Sequence, residues 1–347
     1  MIMIMCNASA DVGMGHLVRC RALGRMLHQM QQVVVMYGPS LKYRIIGEDD
    51  FFFSWVERSN WRGSREEALE LLVIGKAHKA KIFILDDYRV DSNFQKIIYK
   101  SRIRCLKFDK AAEETLWSDL ILSANPALEP SDYEGKLINP NGKLLLGPEY
   151  AILREEFTSS SRTKVKVNKE KNKLRVLLTF GGGNDKGATI KMLEVLNPIT
   201  SADLTFVIVS SSNNSSNDEI KKAISSCSYE NIELHISPNF ISEIFKSCDF
   251  AIMAGGTSTY EAVACNLPML IVSIAKNQIS QSIGWEARGV GYYLGEIEKI
   301  DVIRTMIFFK KLVEDEELRL RLKHNCNFLV DGCGARRVAE KLISINH

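Results

Sequence analysis

Twice in this chain, short apolar runs alternate with stretches whose apolar residues recur at helical spacing. In the first half the runs cover residues 2–6, 33–37, 81–85, 104–108, 120–122 and 143–146, with helical patterns near 16–30, 65–79 and 91–101. In the second half they cover 174–180, 205–209, 232–236, 249–253 and 268–274. Helical patterns there lie at about 187–197 and 240–247, and through most of the last 65 or so residues. Alternation of this kind builds a parallel sheet with helices on both faces. Residues 158–173 break the pattern: they are polar, basic and without periodicity, which reads as an exposed linker rather than a contact for membrane phosphate. The expectation is an α/β chain of two domains, 1–157 and 174–347, and 347 residues suit two domains of ordinary size. The aromatic stretch Phe51-Phe52-Phe53-Ser54-Trp55 is read as core, with an interface as the alternative.

Charge and composition narrow the function classes. Lys and Arg exceed Asp and Glu by three, too mild an excess for a nucleic-acid partner but compatible with an anionic small molecule. The longest apolar runs, such as 269–274, are too short to span a bilayer. The first residues lack a charged lead-in and a small-residue cleavage site, so no signal peptide is expected. None of the eight cysteines lies in a C-x-x-C pair, and most sit in apolar surroundings, which points to reduced thiols and a cytoplasmic protein. The six histidines show neither H-x-x-x-H nor H-E-x-x-H spacing, so no metal is expected.

The stretch 7–20 reads Asn7-Ala8-Ser9-Ala10-Asp11-Val12-Gly13-Met14-Gly15-His16-Leu17-Val18-Arg19-Cys20. It joins the first strand to a helix with Leu17, Cys20, Leu23, Gly24 and Leu27 on one stripe. Gly13 and Gly15 allow positive φ and close approach of the backbone to a ligand. The helix start aims unbonded N–H groups at whatever occupies the turn, and His16 stands there as a candidate base. The plain alternative is a tight turn whose histidine caps or packs. A dinucleotide fingerprint is a poor match, because its third glycine falls at Val18. Two other strand ends are acidic: Asp86-Asp87-Tyr88-Arg89 and Asp109. In parallel sheets ligands bind beyond the strands' carboxyl ends, so these acids are candidates to bind sugar hydroxyls or to orient His16. Otherwise they are loop acids, since Asp91 and Ser92 also look like helix caps.

The second half has three polar turns after apolar strands. Gly181-Gly182-Gly183 can bring the backbone next to a phosphate. Gly255-Gly256-Thr257-Ser258-Thr259 adds hydroxyls to a glycine turn at a helix start, which suits a diphosphate without being a P-loop. Glu261 can reach ribose hydroxyls, or it can pair with Ser258 in a capping box. Lys276-Asn277-Gln278 can contact a base or a sugar.

These segments resemble the UDP-2,4-diacetamido-2,4,6-trideoxy-β-L-altropyranose hydrolases of pseudaminic acid biosynthesis, and their glycosyltransferase-like relatives. The resemblance runs through Ala8-Ser9, Gly13 to Cys20, Leu146-Gly147-Pro148-Glu149-Tyr150-Ala151-Ile152-Leu153-Arg154-Glu155-Glu156-Phe157, Leu178-Thr179-Phe180-Gly181-Gly182-Gly183, Ala254 to Glu261, and Asn277-Gln278. It implies a GT-B-like fold of two Rossmann-like domains with the active-site cleft between them. It implies a metal-independent, cofactor-free enzyme in which His16 activates water at the anomeric carbon, UDP leaves and the sugar configuration inverts. Asn7, Gly13, Gly15, Arg19, Asp86, Asp87 and Tyr88 make up the sugar-side set, with Arg19, Tyr88 and Asn125 open between cleft and scaffold. Gly181, Gly182, Gly183, Gly255, Gly256, Thr257, Ser258, Glu261, Asn277 and Gln278 make up the UDP side. A UDP-sugar is the expected partner and a monomer the expected state.

One departure stands out. The resembled family's first strand ends Arg-x-Asp-x-Ser, whereas this chain has Met5 and Asn7 where the arginine and aspartate stand. Asn7 can hydrogen-bond but carries no charge. Glycosyl transfer to a hydroxyl acceptor, and non-catalytic binding of a nucleotide sugar, are therefore the alternatives to hydrolysis. UDP release without an acceptor distinguishes them.

Overall fold

The computed structural model describes residues 1–8, 14–58, 63–158, 173–198, 203–229 and 231–345. The chain divides into two compact units. The first begins with β1 (Ile2–Cys6), α1 (Gly15–Gln29), β2 (Val34–Gly38), β3 (Phe52–Glu57), α2 (Arg65–Ala77), β4 (Ile82–Asp86), α3 (Ser92–Lys100), β5 (Arg104–Phe108), β6 (Leu120–Ser123) and β7 (Lys143–Leu146). Its strands form one parallel sheet in the order β3-β2-β1-β4-β5-β6-β7. The apolar runs are continuous because both faces are covered. Ile2, Ile4 and Cys6 of β1 pack with the α1 stripe Leu17, Cys20, Leu23 and Leu27, while Met3 and Met5 pack with Ala68, Leu71, Phe94 and Ile98 from α2 and α3. Asp91 caps α3, accepting the Phe94 N–H at 2.8 Å, as its sequence position suggested. Ser92 is not a cap; its hydroxyl meets Thr115 and Trp117 instead.

The second unit holds β8 (Leu174–Thr179), α4 (Ala188–Leu196), β9 (Leu204–Ser210), α5 (Asn217–Ser226), β10 (Ile232–Ile236), α6 (Ile241–Ser247), β11 (Phe250–Ala254), α7 (Ser258–Ala264), β12 (Met269–Ser273), α8 (Ile279–Ala287), β13 (Gly291–Glu296), α9 (Val302–Glu314) and α10 (Glu316–Cys326). Its parallel sheet has the order β10-β9-β8-β11-β12-β13. In each sheet the first strand lies between the second and the fourth, so the winding reverses at β1/β4 and at β8/β11. Such reversals open a crevice at the carboxyl ends of the strands.

Three strands or helices depart from the sequence expectation. Of residues 51–55, those from Phe52 on enter an edge strand, β3: Phe52 is buried at 4% exposure while Phe53 points out at 69%. The strand β13 interrupts the tail that reads as helical, and α5 follows the serine- and asparagine-rich stretch after β9. The domain boundary is also corrected. The second unit spans Glu155–Asp331, and the segment Gly332–His347 belongs to the first unit rather than to 174–347. Its helix α11 (Gly334–Ser344) buries Ala335, Val338, Ala339 and Leu342 in the core of β1 and α1. Gly334 makes the docking possible, since a Cβ there would stand 2.1 Å from the Ala151 carbonyl oxygen. Most of the expected linker, residues 159–172, lies outside the described residues.

Candidate active site

His16 stands in the first turn of α1, beside the winding reversal of the first sheet. The helix begins at Gly15 without a side-chain cap and with no acidic residue in its first turn, so its N–H groups point out of the helix end. Gly13 lies outside the described residues. Gly15 is the first helical residue and has no positive φ, contrary to the expectation for the turn.

Asp86 closes β4 and reaches this helix. Its Oδ1 lies 2.7 Å from His16 Nδ1. A carboxylate only accepts, so Nδ1 carries a proton toward Asp86, with Arg19 Nη2 3.0 Å from the same nitrogen, and in the neutral ring the lone pair then lies on Nε2. Nε2 has no hydrogen-bond partner among the described residues. Arg19, one turn on, donates Nε to Asp86 Oδ2 at 2.6 Å and Nη2 to Asp86 Oδ1. Both of its terminal nitrogens lie 3.2 Å from the Tyr88 hydroxyl, and the guanidinium stacks over Phe108 at 4.6 Å. The Tyr88 ring meets His16 edge-on at 4.8 Å. Burial of Asp86 opposes its charge, but Arg19 and His16 outweigh burial and hold the carboxyl well below the usual carboxylate range. Cys20 Sγ also points at Asp86, 3.3 Å from Oδ2, and burial pushes that thiol well up. Arg19 and Tyr88, left open by the sequence, thus build the wall around the His16–Asp86 pair.

Asp87 faces the other side of the sheet. It receives Asn7 Nδ2 at 3.1 Å, Arg58 Nη2 at 3.1 Å, and Arg89 through its backbone N at 3.0 Å, Nε at 3.1 Å and Nη2 at 2.8 Å. Despite burial, the bonds from Arg89 and the charge of Arg58 keep its pKa low. Asn7 therefore acts as a donor to an acid, a task aspartate cannot perform. Asp109 is a loop fastener: its Oδ2 accepts the Ala112 N–H and the Tyr133 hydroxyl. Asn125 bonds the Lys110 carbonyl and the Ala127 N–H, which places it in the scaffold.

In the second unit the glycine turns line the other winding reversal. Gly181 has φ +101°, and Gly181, Gly182 and Gly183 each have open space where a Cβ would stand. Asp185 caps the following turn through the N–H groups of Gly187 and Thr189. Gly255 is packed instead: a Cβ would stand 2.1 Å from Ser282 Oγ. The side chain of Gln281, which the sequence reading did not single out, ties the Gly255 and Gly256 carbonyls and Thr259 Oγ1 at 3.1, 2.8 and 2.9 Å. The Thr257 and Ser258 hydroxyls make no hydrogen bond among the described residues, and α7 starts without a side-chain cap. Glu261 is not a capping-box partner of Ser258, because Thr257 is the cap position and Glu261 falls a residue too deep. Gln278 Oε1 accepts the Ile274 N–H at 2.9 Å and its amide nitrogen lies over Gly256, while Asn277 is exposed.

Among the described residues no group of three or more His, Cys, Asp or Glu side chains could hold a metal ion, and no helix is long and apolar enough to cross a membrane.

Two Rossmann-like units in tandem define a GT-B-like architecture. MurG of Acinetobacter baumannii has the same fold, with a TM-score of 0.70 at 11% identity over 99% of both chains. No protein-family model matches the chain. In sequence, the chain is similar to UDP-2,4-diacetamido-2,4,6-trideoxy-β-L-altropyranose hydrolase of Campylobacter jejuni, with 25% identity over 83% of this chain and 96% of that protein. It is also 23% identical to the spore coat polysaccharide biosynthesis protein SpsG of Bacillus subtilis, over 96% of this chain and 95% of that one. The resemblance read from the sequence is borne out by these relatives.

Proposed function

We propose that this protein is a nucleotide-sugar hydrolase that splits a UDP-linked 2,4-diacetamido-2,4,6-trideoxy sugar into UDP and the free sugar. The observation that carries the reading is the His16 Nδ1–Asp86 contact of 2.7 Å, which leaves Nε2 as a base without a hydrogen-bond partner among the described residues, in the first turn of α1. His16 Nε2 takes a proton from water, whose oxygen attacks the anomeric carbon. The bond from that carbon to the diphosphate oxygen breaks, UDP leaves with the electron pair, and the sugar inverts. Asp86, held ionised by Arg19, fixes the ring and stabilises the imidazolium that forms. Tyr88 packs the ring in place. In the second unit, backbone N–H groups of the 181–183 and 255–258 turns, with the Thr257 and Ser258 hydroxyls, bind the diphosphate and stabilise its growing charge. Glu261, Asn277 and Gln278 complete the nucleotide site. No metal or cofactor takes part in the proposed reaction.

The relative from Campylobacter, named for this hydrolysis, supports the reading, and so do the glycines at 182 and 183. Neither positive φ nor packing asks for glycine at those two positions, which suits a ligand close to the backbone. The test is UDP release from a panel of UDP-sugars with a chelator and without acceptor. The diacetamido trideoxy sugar should turn over, and His16→Ala should lower the rate by about 10²–10⁴-fold. If UDP binds but is not released until a hydroxyl acceptor is added, the reaction is glycosyl transfer. Binding with no turnover under either condition makes the protein a binding module.

A further inference from the structure

Arg58 follows β3 and is buried without exposed side-chain surface, as are Glu67 and Asp87 beside it. Three charges in the interior are costly, and apolar residues of the same volume often give equal or better stability. Their placement supplies a different reason. The last rung of the β1/β4 ladder pairs Cys6 with Asp86, and one further backbone bond joins Asn7 N to the Asp86 carbonyl at 3.1 Å. Beyond it, the chain continues from β1 to α1, which carries His16, and from β4 to Tyr88. Arg58 clamps both strand ends across this rung. Its Nη1 donates to the Cys6 carbonyl at 3.1 Å, and its Nη2 donates to Asp87 Oδ2 at 3.1 Å.

The clamp is itself held from α2. Arg58 Nε donates to Glu67 Oε1 at 2.9 Å and Nη2 donates to the same oxygen. Glu67 lies three residues after the cap Ser64, where a glutamate ordinarily bonds back to the cap's N–H. Here it bonds the Gly63 N–H at 2.7 Å and Arg58 instead.

We propose that Arg58, locked by Glu67, is a positioning residue that sets the distance between His16 and Asp86 by pinning the end of β4, which carries Asp86, to the end of β1, the strand that precedes the His16 helix. The catalytic consequence rests on the hydrolase reading above; the geometric one does not. Two measurements separate them. The first is the kcat and KM of UDP release. In Arg58→Lys, kcat should fall by about 10–100-fold with KM within about threefold, as expected when a base is misplaced by a fraction of an ångström to an ångström. The second is the downfield imidazole Nδ1–H proton resonance of His16, assigned by its loss in His16→Gln. It should be sharp in the wild type and broadened by solvent exchange in Arg58→Lys. If Arg58→Lys does not fold, Glu67→Gln replaces it in both measurements. A variant with a lower melting temperature but unchanged kcat per folded molecule and an unchanged resonance overturns the proposal, because Arg58 is then structural only. Absence of the resonance in the wild type overturns it too. If the wild type releases no UDP, the hydrolase reading fails, and the resonance alone decides whether Arg58 positions the pair.

Discussion

Two adjacent carboxylates at the end of β4 point to opposite faces of the sheet, and strand alternation gives them different work. Asp86 looks toward α1 and meets His16 and Arg19; Asp87 looks toward α2 and is saturated by Asn7, Arg58 and Arg89. Asp86→Asn presents an amide where His16 needs a charged acceptor, and leaves Arg19 without its counter-ion. Turnover should drop by about 10²–10⁴-fold with little change in KM. The pH dependence of stability carries a definite sign. The folded-state pKa of Asp86 lies below its unfolded value, so the unfolded chain binds the proton first as pH falls. Its contribution is complete above the unfolded value of about 4 and is lost as the pH drops through the folded one. The gap between wild type and Asp86→Asn in denaturant midpoints should therefore be widest above about pH 4 and close below it. A gap that instead opened toward acid would contradict the ion pairing.

At the scale of elements, the two glycine turns of the second unit differ in why they hold glycine. Alanine at 255 would press on Ser282 Oγ, so Gly255→Ala should lower the melting temperature by several degrees and distort the turn that Gln281 ties. Alanine at 182 meets nothing, so Gly182→Ala should melt like wild type yet bind UDP about tenfold more weakly by calorimetry. Equal UDP affinity in Gly182→Ala would remove that turn from the proposed nucleotide site. Much of this was legible in the sequence, because glycine turns after apolar runs and a histidine at a helix start are local patterns. What was not legible depends on long-range partners. Arg58 looks like an ordinary loop arginine until β3 is seen beside β2 and its guanidinium is found at the Cys6 carbonyl, 52 residues away. The strand β3 itself was hidden because Phe51-Phe52-Phe53 lacks polar alternation, although the fold sorts Phe52 inward and Phe53 outward. Likewise Glu67 bears the sequence mark of a capping box, and only the neighbouring arginine turns it to another use.

For the whole molecule, the chain leaves the first unit after Arg154 and comes back at Gly332, so the first unit is built from both ends of the sequence. The amphipathic pattern of α11 was visible, but nothing local says which core receives it. Each fully buried valine or leucine is worth roughly 1.5–3 kcal/mol, so a chain ending at residue 331 loses several such contributions from Val338, Leu342 and their alanine neighbours. Scanning calorimetry should find the first unit melting well below its wild-type temperature, or not folded, while the second unit's transition stays in place. Loss of both transitions together would mean that the units fold as one. The same connectivity has a consequence for the protein's birth. On the ribosome, the residues of the first sheet emerge before the second unit yet lack part of their core until α11 is made, whereas the second unit has all its residues before α11 appears. Order of emergence and order of completion are reversed, and until α11 arrives the first sheet keeps bare the apolar surface that α11 covers, the kind of surface that makes an incomplete domain prone to aggregate.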